Sequence, residues 1–254
     1  MTRQYTDHLA PEGLLTRGTV LVVPGRGETR AVYERFGKRL AADAYRVRVV
    51  DTPDLSGDDL DATLDVLAEQ LVEAADGTTS EAVAPLVLVG ADSGAAAVAA
   101  LIADPARALR LRADAVVLAG LPGRAAATTE AWDEELDVRT SCPTHRGVLT
   151  DDTRVRRGEL NTPVPEAVLE RAHDSAADLP HLLLAGDADP LSDRDALALT
   201  AQKLASARLA VVHGAHHDVL NDKQHRSVAA EVVTFLEALR EGLTPAVTVV
   251  SSAW

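Results

Sequence analysis

Residues 86–101 read Leu-Val-Leu-Val-Gly-Ala-Asp-Ser-Gly-Ala-Ala-Ala-Val-Ala-Ala-Leu. The apolar run predicts a buried strand, and the small residues after it predict a sharp turn into a helix. A side chain that projects from such a strained corner needs neighbours of almost no volume two positions to either side. Gly90 and Gly94 flank Asp92 in that way. We therefore expect the carboxylate of Asp92 at the tip of this turn.

Two other interpretations of the same stretch remain open. The turn can instead be centred on Ser93, with Ala91 and Ala95 at the small positions. In the third interpretation Asp92 only caps the following helix. We favour Asp92 at the tip because the apolar run ends at Gly90, which leaves one residue before the tip.

Short apolar runs elsewhere in the chain alternate with longer stretches of helical periodicity. Continuous apolar runs predict strands that are covered on both faces, and hence a parallel sheet between two layers of helices. The fold predicted is therefore an open, doubly wound, mostly parallel α/β sheet. The predicted strands are residues 19–23, 46–50, 86–89, 115–119, 182–185 and 209–212. The predicted helices are residues 31–42, 58–75, 94–103, 193–205 and 227–242.

Residues 124–180 break this alternation, because they are rich in charge, threonine and proline and contain no clear strand. A structureless stretch of that length is uncommon in a compact domain. The sequence therefore predicts an inserted, partly helical lid at 124–180 and a core formed by 1–123 and 181–254. The apolar, β-branched stretch 246–250 is interpreted as an added strand or a contact with a partner.

Composition restricts the function. The formal charge of the 254 residues is −14, which argues against nucleic acid or an anionic membrane as partner. With Cys142 as the single cysteine no intrachain disulfide can form. No apolar stretch is long enough to insert into a membrane, and the first residues lack the apolar centre of a signal peptide. We expect a cytoplasmic bacterial protein that acts on a small molecule; a homo-oligomer is left open.

Chemically competent residues follow four predicted strands. In open α/β sheets, ligands bind beyond the carboxyl ends of the strands. One such end carries Gly25 and Arg26, whose backbone N–H groups can face an oxyanion, and another carries Asp92, followed by the N–H of Ser93. The remaining two carry Asp189 and a histidine-rich loop. The order nucleophile, acid, histidine is the order along the chain in α/β-hydrolases.

The histidine-rich loop offers more than one candidate. His216 and His217 are adjacent, so their side chains cannot both point the same way from an extended loop. We select His217 as the base, oriented by Asp189, and assign His216 to substrate contact. A metal site formed by His213, His216, His217 and Asp218 is the alternative. We predict no metal, because these residues crowd into one short loop with no distant partner.

Two stretches carry a resemblance to a known family. Residues 24–47, which begin Pro-Gly-Arg-Gly-Glu-Thr-Arg-Ala-Val-Tyr-Glu-Arg-Phe, resemble the opening of monoacylglycerol-lipase-like hydrolases of the α/β-hydrolase fold. Residues 214–222, Gly-Ala-His-His-Asp-Val-Leu-Asn-Asp, are similar to the histidine loop of that family. The resemblance covers residues 15–123 and 180–240, and it does not extend to the lid.

This resemblance implies an oxyanion loop at Gly25 and Arg26, a nucleophile at Asp92, an acid at Asp189 and a base at His217. Two positions depart from the family pattern. Pro24 stands where the family often has histidine, and Asp92 stands where lipases have their serine.

An aspartate nucleophile implies a particular chemistry. A carboxylate attacks saturated carbon well and gives an ester on the enzyme, which water then hydrolyses. The sequence thus predicts a cofactor-free hydrolase that acts on a small, largely apolar substrate such as an epoxide, a lactone or an ester. The helpers used elsewhere for this chemistry are missing from their usual positions, since Ser93 replaces a tryptophan beside the nucleophile and no tyrosine lies in the lid. Trp132 of the lid is a candidate for substrate binding, together with His216.

Three other functions remain open at this point. One is a serine esterase or lipase with Ser93 as nucleophile. Another is a non-hydrolytic lyase or cyclase in which Asp92 and His217 act as acid and base without a covalent step. The last is a non-catalytic protein that has kept the pocket and binds a ligand.

Overall fold

A computed structural model describes residues 5–57, 59–77 and 82–253. Its sheet has the strand order β1-β3-β2-β4-β5-β6-β7, and β1 runs antiparallel to β3 while all other neighbours are parallel. The predicted open, mostly parallel sheet is therefore confirmed. The strands are β1 Tyr5–His8, β2 Gly18–Val23, β3 Tyr45–Val50, β4 Leu86–Ala91, β5 Ala115–Ala119, β6 His181–Gly186 and β7 Ala207–Val212.

Helices cover both faces of this sheet. In the described residues they are α1 Glu34–Ala42, α2 Leu60–Asp76, α3 Ser93–Ile102, α4 Pro105–Leu111, α5 Trp132–Arg139, α6 Pro143–Asp151, α7 Glu166–His173, α8 Arg194–Lys203 and α9 His225–Arg240. The core on one face is formed with α1 and α9, and the core on the other face with α2, α3, α7 and α8. The two cores thus lie on opposite sides of the central strands, as in a doubly wound sheet.

Two strands differ from the expectation. β1, with the sequence Tyr-Thr-Asp-His, was not predicted, because three of its four residues are polar and no apolar run indicates a strand. The prediction that all strands are covered on both faces is wrong for β7, where Val211 is 40% exposed. β7 is the last strand of the sheet, and an edge strand has a neighbour on one side only.

The segment 124–180 contains α5, α6 and α7 and one turn of 3-10 type, Glu159–Asn161. Leu136 of α5 and Leu149 of α6 pack into the core on the α1 and α9 face, whereas α7 packs against α3. Residues 246–250 form no strand of the sheet, and Val247, Val249 and Val250 are exposed. None of the described helices is sufficiently long and apolar to span a bilayer.

The turn between β4 and α3 depends on its two glycines. A Cβ atom on Gly90 would lie 2.5 Å from the Cα atom of Ala95, and one on Gly94 would lie 2.4 Å from the carbonyl oxygens of Val23 and Pro24. Both clashes are with backbone, which cannot rotate away. The glycines therefore let α3 begin directly behind the end of β2, and this brings the tip of the turn to the carboxyl edge of the sheet.

Candidate active site

Asp92 occupies the tip of the turn in a strained backbone conformation, with φ 47° and ψ −120°. A positive φ is uncommon for a residue other than glycine, and such strain clusters at functional sites. The N–H of Asp92 donates to the carbonyl oxygen of Ala119 at the end of β5, which fixes the turn against the neighbouring strand. Its side chain is only 4% exposed.

Asp92, His217 and Asp189 form a continuous hydrogen-bonded chain. Nε2 of His217 lies 2.9 Å from Oδ1 of Asp92, and Nδ1 lies 2.9 Å from Oδ2 of Asp189. Asp189 is oriented in turn, because its Oδ1 accepts from the N–H of Leu191 at 2.9 Å. The structure thus brings together the three residues predicted from three separate strand exits.

Arg26 contacts the same carboxylate from the other side. Its backbone N–H donates to Oδ2 of Asp92 at 2.8 Å, its Nε–H to Oδ2 at 2.9 Å, and its Nη2–H to Oδ1 at 2.8 Å. With His217 on Oδ1, four donors surround the carboxylate, which matches its roughly four acceptor positions. The sequence predicted a role for the backbone N–H of Arg26 and missed this role of its guanidinium.

These contacts set the charges of the site. Burial by itself raises the pKa of Asp92, but the positive charges of Arg26 and His217 lower it well below its usual range. Burial lowers the pKa of His217, but the carboxylates of Asp189 and Asp92 outweigh it and raise that pKa to about 10. At neutral pH the site therefore holds an imidazolium between two carboxylates, with Arg26 as the second cation.

The two predicted oxyanion-loop residues differ in where their N–H groups point. The N–H of Gly25 donates to Oε2 of Glu28 at 2.9 Å and lies 3.3 Å from the hydroxyl of Tyr33, so it faces away from the turn. The N–H of Arg26 faces Asp92. Ser93, the third predicted member, is the first residue of α3, where backbone N–H groups have no partner within the helix.

A cavity of about 100 Å³ adjoins this site. Arg26 and Ser93 line it, and its walls include Leu55, Pro163 and Val164. The lining is mixed, because charged side chains such as Asp54 and Glu159 also line the cavity.

Trp132 and His216, predicted to contact substrate, do not line this cavity. The indole N–H of Trp132 donates to the hydroxyl of Thr150, within the segment 124–180. The imidazole of His216 faces Asp222, and His213 pairs with Asp187. The histidines of this loop therefore point in different directions and do not converge on a common point.

A buried charged cluster next to the site was not predicted. Arg139 of α5 is fully buried and pairs with Glu135 at 2.9 Å, and it lies 3.7 Å from Asp218. The burial of Glu28 and the charge of Asp218 raise the pKa of Glu28 to about 7, against the opposing charge of Arg139. In the sequence these residues look like surface charges. Only Glu28 and Tyr33, which are five positions apart, are close enough along the chain to suggest a contact.

Glu28, His145 and Asp218 offer metal-ligating atoms that all lie within 4.8 Å of one another. Arg139 already supplies a positive charge at 3.7 Å from Asp218, and Nε2 of His145 lies 2.8 Å from Oδ2 of Asp218. A divalent cation would have to approach against that guanidinium. The donor set therefore fits a hydrogen-bonded ion cluster better than a metal centre.

Comparisons with known proteins agree with this architecture. A monoacylglycerol lipase from Paleococcus ferrophilus has a TM-score of 0.70 at 19% identity, with 94% of this chain and 100% of that chain covered. A soluble variant of monoglyceride lipase from Saccharomyces cerevisiae has a TM-score of 0.69 at 14% identity, covering 92% and 91%. An enol-lactonase from Burkholderia xenovorans has a TM-score of 0.62 at 17% identity, covering 92% and 95%. A search of curated proteins found no match.

The fold, together with a turn of this type at the carboxyl edge, defines a hydrolase of the α/β-hydrolase superfamily. Within it, the chain belongs to the family described as serine aminopeptidase S33, whose family model matches residues 15–224. The expected resemblance to monoacylglycerol-lipase-like hydrolases is thereby confirmed.

Proposed function

We propose that the chain hydrolyses a small, largely apolar substrate in two steps, with Asp92 as the nucleophile and His217 as the residue that moves the proton. Asp189 holds the imidazole in position. The observation that carries this proposal is the chain of two 2.9 Å contacts that links the three side chains through His217. No cofactor enters the reaction.

The first step is a nucleophilic attack by a carboxylate on saturated carbon. One oxygen of Asp92 bonds to a saturated carbon of the substrate, and the leaving atom departs with the electron pair of the broken bond. The product of this step is an ester on Asp92. Attack on an ester or lactone carbonyl would instead give a reactive anhydride, so a substrate with a leaving group on saturated carbon suits this site best.

The second step follows from the change of charge at Asp92. Once Asp92 is an ester, His217 has lost one of the two carboxylates that hold its proton, and its pKa falls. After giving its proton to the leaving atom, the neutral imidazole accepts a proton from water as that water attacks the ester carbonyl. The N–H groups of Arg26 and Ser93 are suited to stabilise the oxyanion. The ester carbon–oxygen bond then breaks, the leaving alkoxide takes the second proton of that water and departs as the alcohol, and the carboxylate of Asp92 and the imidazolium of His217 are restored.

This mechanism incorporates oxygen from water into the carboxylate of Asp92. Turnover in water labelled with heavy oxygen transfers the label into the carboxylate of Asp92, because water attacks the carbonyl carbon of the ester. Peptide mass spectrometry after many turnovers detects it. We expect Asp92→Asn to lose turnover by a factor on the order of 10⁴, as in other enzymes that lose a member of a catalytic triad.

Asp187→Asn is a suitable control. Asp187 and Asp189 both follow β6, but Asp187 contacts His213 instead of His217. It should keep turnover and leave the label on Asp92. Turnover that persists undiminished in Asp92→Asn would refute the proposal. A fluorophosphonate adduct on Ser93 would indicate the serine esterase, and a product that contains no oxygen from water would indicate a lyase or cyclase.

One observation favours a second candidate, a binding protein without turnover. Both oxygens of Asp92 are already hydrogen-bonded to Arg26 and His217, which lowers the reactivity of a nucleophile. Such a protein would be stabilised against heat by a small ligand and would release no product. Product formation that is abolished by Asp92→Ala excludes this candidate.

A further inference from the structure

The hydroxyl of Ser93 is buried and unsatisfied. Ser93 is 2% exposed, and its Oγ has no hydrogen-bond partner in the part of the chain that the structure describes. A buried hydroxyl without a partner costs free energy, so each instance calls for an explanation. Ser93 is among the residues that line the cavity next to Arg26, and we infer that its unpaired hydroxyl serves a ligand atom bound there.

Arg26 lines the same cavity, and its guanidinium has N–H groups that are not used within the described part of the protein. A guanidinium has five N–H groups. Across the described residues, Nε and Nη2 donate to Asp92, and Nη1 donates to the carbonyl oxygen of Thr162. One N–H on each terminal nitrogen therefore remains for a ligand.

The two groups are joined by the beginning of α3, a helix of ten residues. Its first backbone N–H groups carry partial positive charge and favour a negative atom nearby. A guanidinium, a free hydroxyl and a helix N-terminus thus adjoin one cavity next to a carboxylate. This combination suits an atom that becomes negative during the reaction.

The proposed first step creates such an atom. When Asp92 forms its ester, the negative charge moves from the carboxylate to the leaving atom. Arg26, which holds that charge on Asp92 in the resting site, is adjacent to its destination. Donors that are aimed at developing charge in a dry site are the largest single contribution to many enzymatic rates.

We propose that Arg26 and Ser93 bind the leaving oxygen of a small aliphatic epoxide, and that an epoxide is the substrate class of this site. The inference rests on the proposed function. These residues then replace the lid tyrosines and the tryptophan that the sequence lacks at the usual positions. An epoxide fits better than a halide, because the ring oxygen needs both charge stabilisation and a proton, and the site offers hydroxyl and imidazolium donors.

Ring opening begins at Asp92. A carboxylate oxygen of Asp92 bonds to an epoxide carbon, and the carbon–oxygen bond of the ring breaks with its electron pair on the ring oxygen. That oxygen is held by Arg26 and Ser93 and takes the proton of His217. Water then cleaves the ester, and a diol leaves while Asp92 and His217 regain their charges.

The test compares epoxybutane, chlorobutane and methyl butyrate on the purified protein. We expect turnover of epoxybutane to its diol, with kcat/KM for the other two lower by at least about 100-fold. Ser93→Ala should lower kcat for epoxybutane by roughly 10²-fold and change KM far less, because the donor acts on charge that develops only in the transition state. Arg26→Lys, which keeps the charge and loses the planar fork, should lower kcat as well.

Ser192→Ala is the matched control. Its hydroxyl is also buried without a partner among the described residues, but it lies outside this cavity. We expect it to leave kcat unchanged. The inference is overturned if epoxybutane is not hydrolysed, or if Ser93→Ala and Arg26→Lys turn it over as fast as Ser192→Ala. Epoxide hydrolysis that survives Asp92→Asn would instead overturn the proposed function.

Discussion

Asp92 is both buried and ionised, a combination that proteins permit only with compensating charge. Two cations supply that charge here, the guanidinium of Arg26 at 2.8 Å and the imidazolium of His217 at 2.9 Å. Asp189 in turn holds the imidazolium. The four side chains carry two positive and two negative charges, so the site is neutral as a whole although each member is charged.

The charge of His217 predicts the pH dependence of activity. The proposed ring-opening step requires the imidazolium, so we expect kcat/KM to stay constant through neutral pH and to fall as pH rises through about 10. The pKa of His217 is raised above 6.5, so its contribution to stability is also fully present below that value and is lost as pH rises through about 10. A pH profile of kcat/KM checks the predicted dependence of activity on pH. Activity that instead rises near pH 6.5 would indicate a neutral imidazole as base.

Glu28 should make the protein less stable as pH rises. Its pKa is raised from 4.5 to about 7, so the folded state holds a proton that the unfolded state releases. The free energy of unfolding therefore falls between these two pH values, by up to about 3 kcal/mol. Glu28→Gln keeps a neutral group of the same shape and removes this decline. Urea unfolding at about pH 5 and about pH 8 measures the difference, and an equal decline in both proteins would contradict it.

At the residue scale, the sequence could predict that Asp92, Asp189 and His217 lie together, because each follows a strand of one sheet. It could not predict the side-chain role of Arg26. Whether a loop arginine turns toward solvent or toward a carboxylate 66 residues away depends on the packing around it. The same holds for Arg139, which is buried although it lies in the charge-rich segment 124–180.

At the scale of elements, Gly90 and Gly94 determine the turn between β4 and α3, because they allow the backbone to pack closely there. Strand ends were predictable to within a residue or two, since β2, β4 and β5 are buried along their whole length. β1 was missed, because this edge strand is only partly buried and lacks that signal.

Alanine substitutions at Gly90 and Gly147 test whether the turn between β4 and α3 requires a glycine. Gly90→Ala would press a Cβ atom to 2.5 Å from the backbone of Ala95, and we expect a loss of about 3 kcal/mol of stability. Gly147 lies within α6, and nothing lies within 4 Å of its Cβ position. Gly147→Ala should therefore stabilise the protein by about 0.5 to 1 kcal/mol. Thermal denaturation of both variants checks the signs, and a Gly90→Ala variant as stable as the parent chain would refute the steric argument.

At the scale of the whole molecule, the segment 124–180 is joined to two of the loops that form the site. The N–H of Arg156 donates to the carbonyl oxygen of Gly27 at 2.9 Å, and the N–H of Asp218 donates to that of Arg139 at 2.8 Å. The side chain of Arg139 also donates to the carbonyl oxygen of Arg26 at 2.9 Å. The sequence could predict where this segment is inserted from the break in periodicity, but its contacts with the core arise only in the folded chain.

Arg139 should therefore be the residue in this segment whose loss destabilises the molecule most. Arg139→Met keeps the side-chain volume but leaves Glu135 buried without its cation and removes the guanidinium near Asp218, and we expect a loss of about 3 to 5 kcal/mol in urea unfolding. Arg146→Met is the control, because Arg146 pairs with an exposed partner, Asp137, and should change stability by no more than about 0.5 kcal/mol. Adding Glu135→Gln to Arg139→Met removes one uncompensated charge and should recover part of the loss. Equal effects of Arg139→Met and Arg146→Met would mean that the buried ion cluster does not stabilise the docked segment.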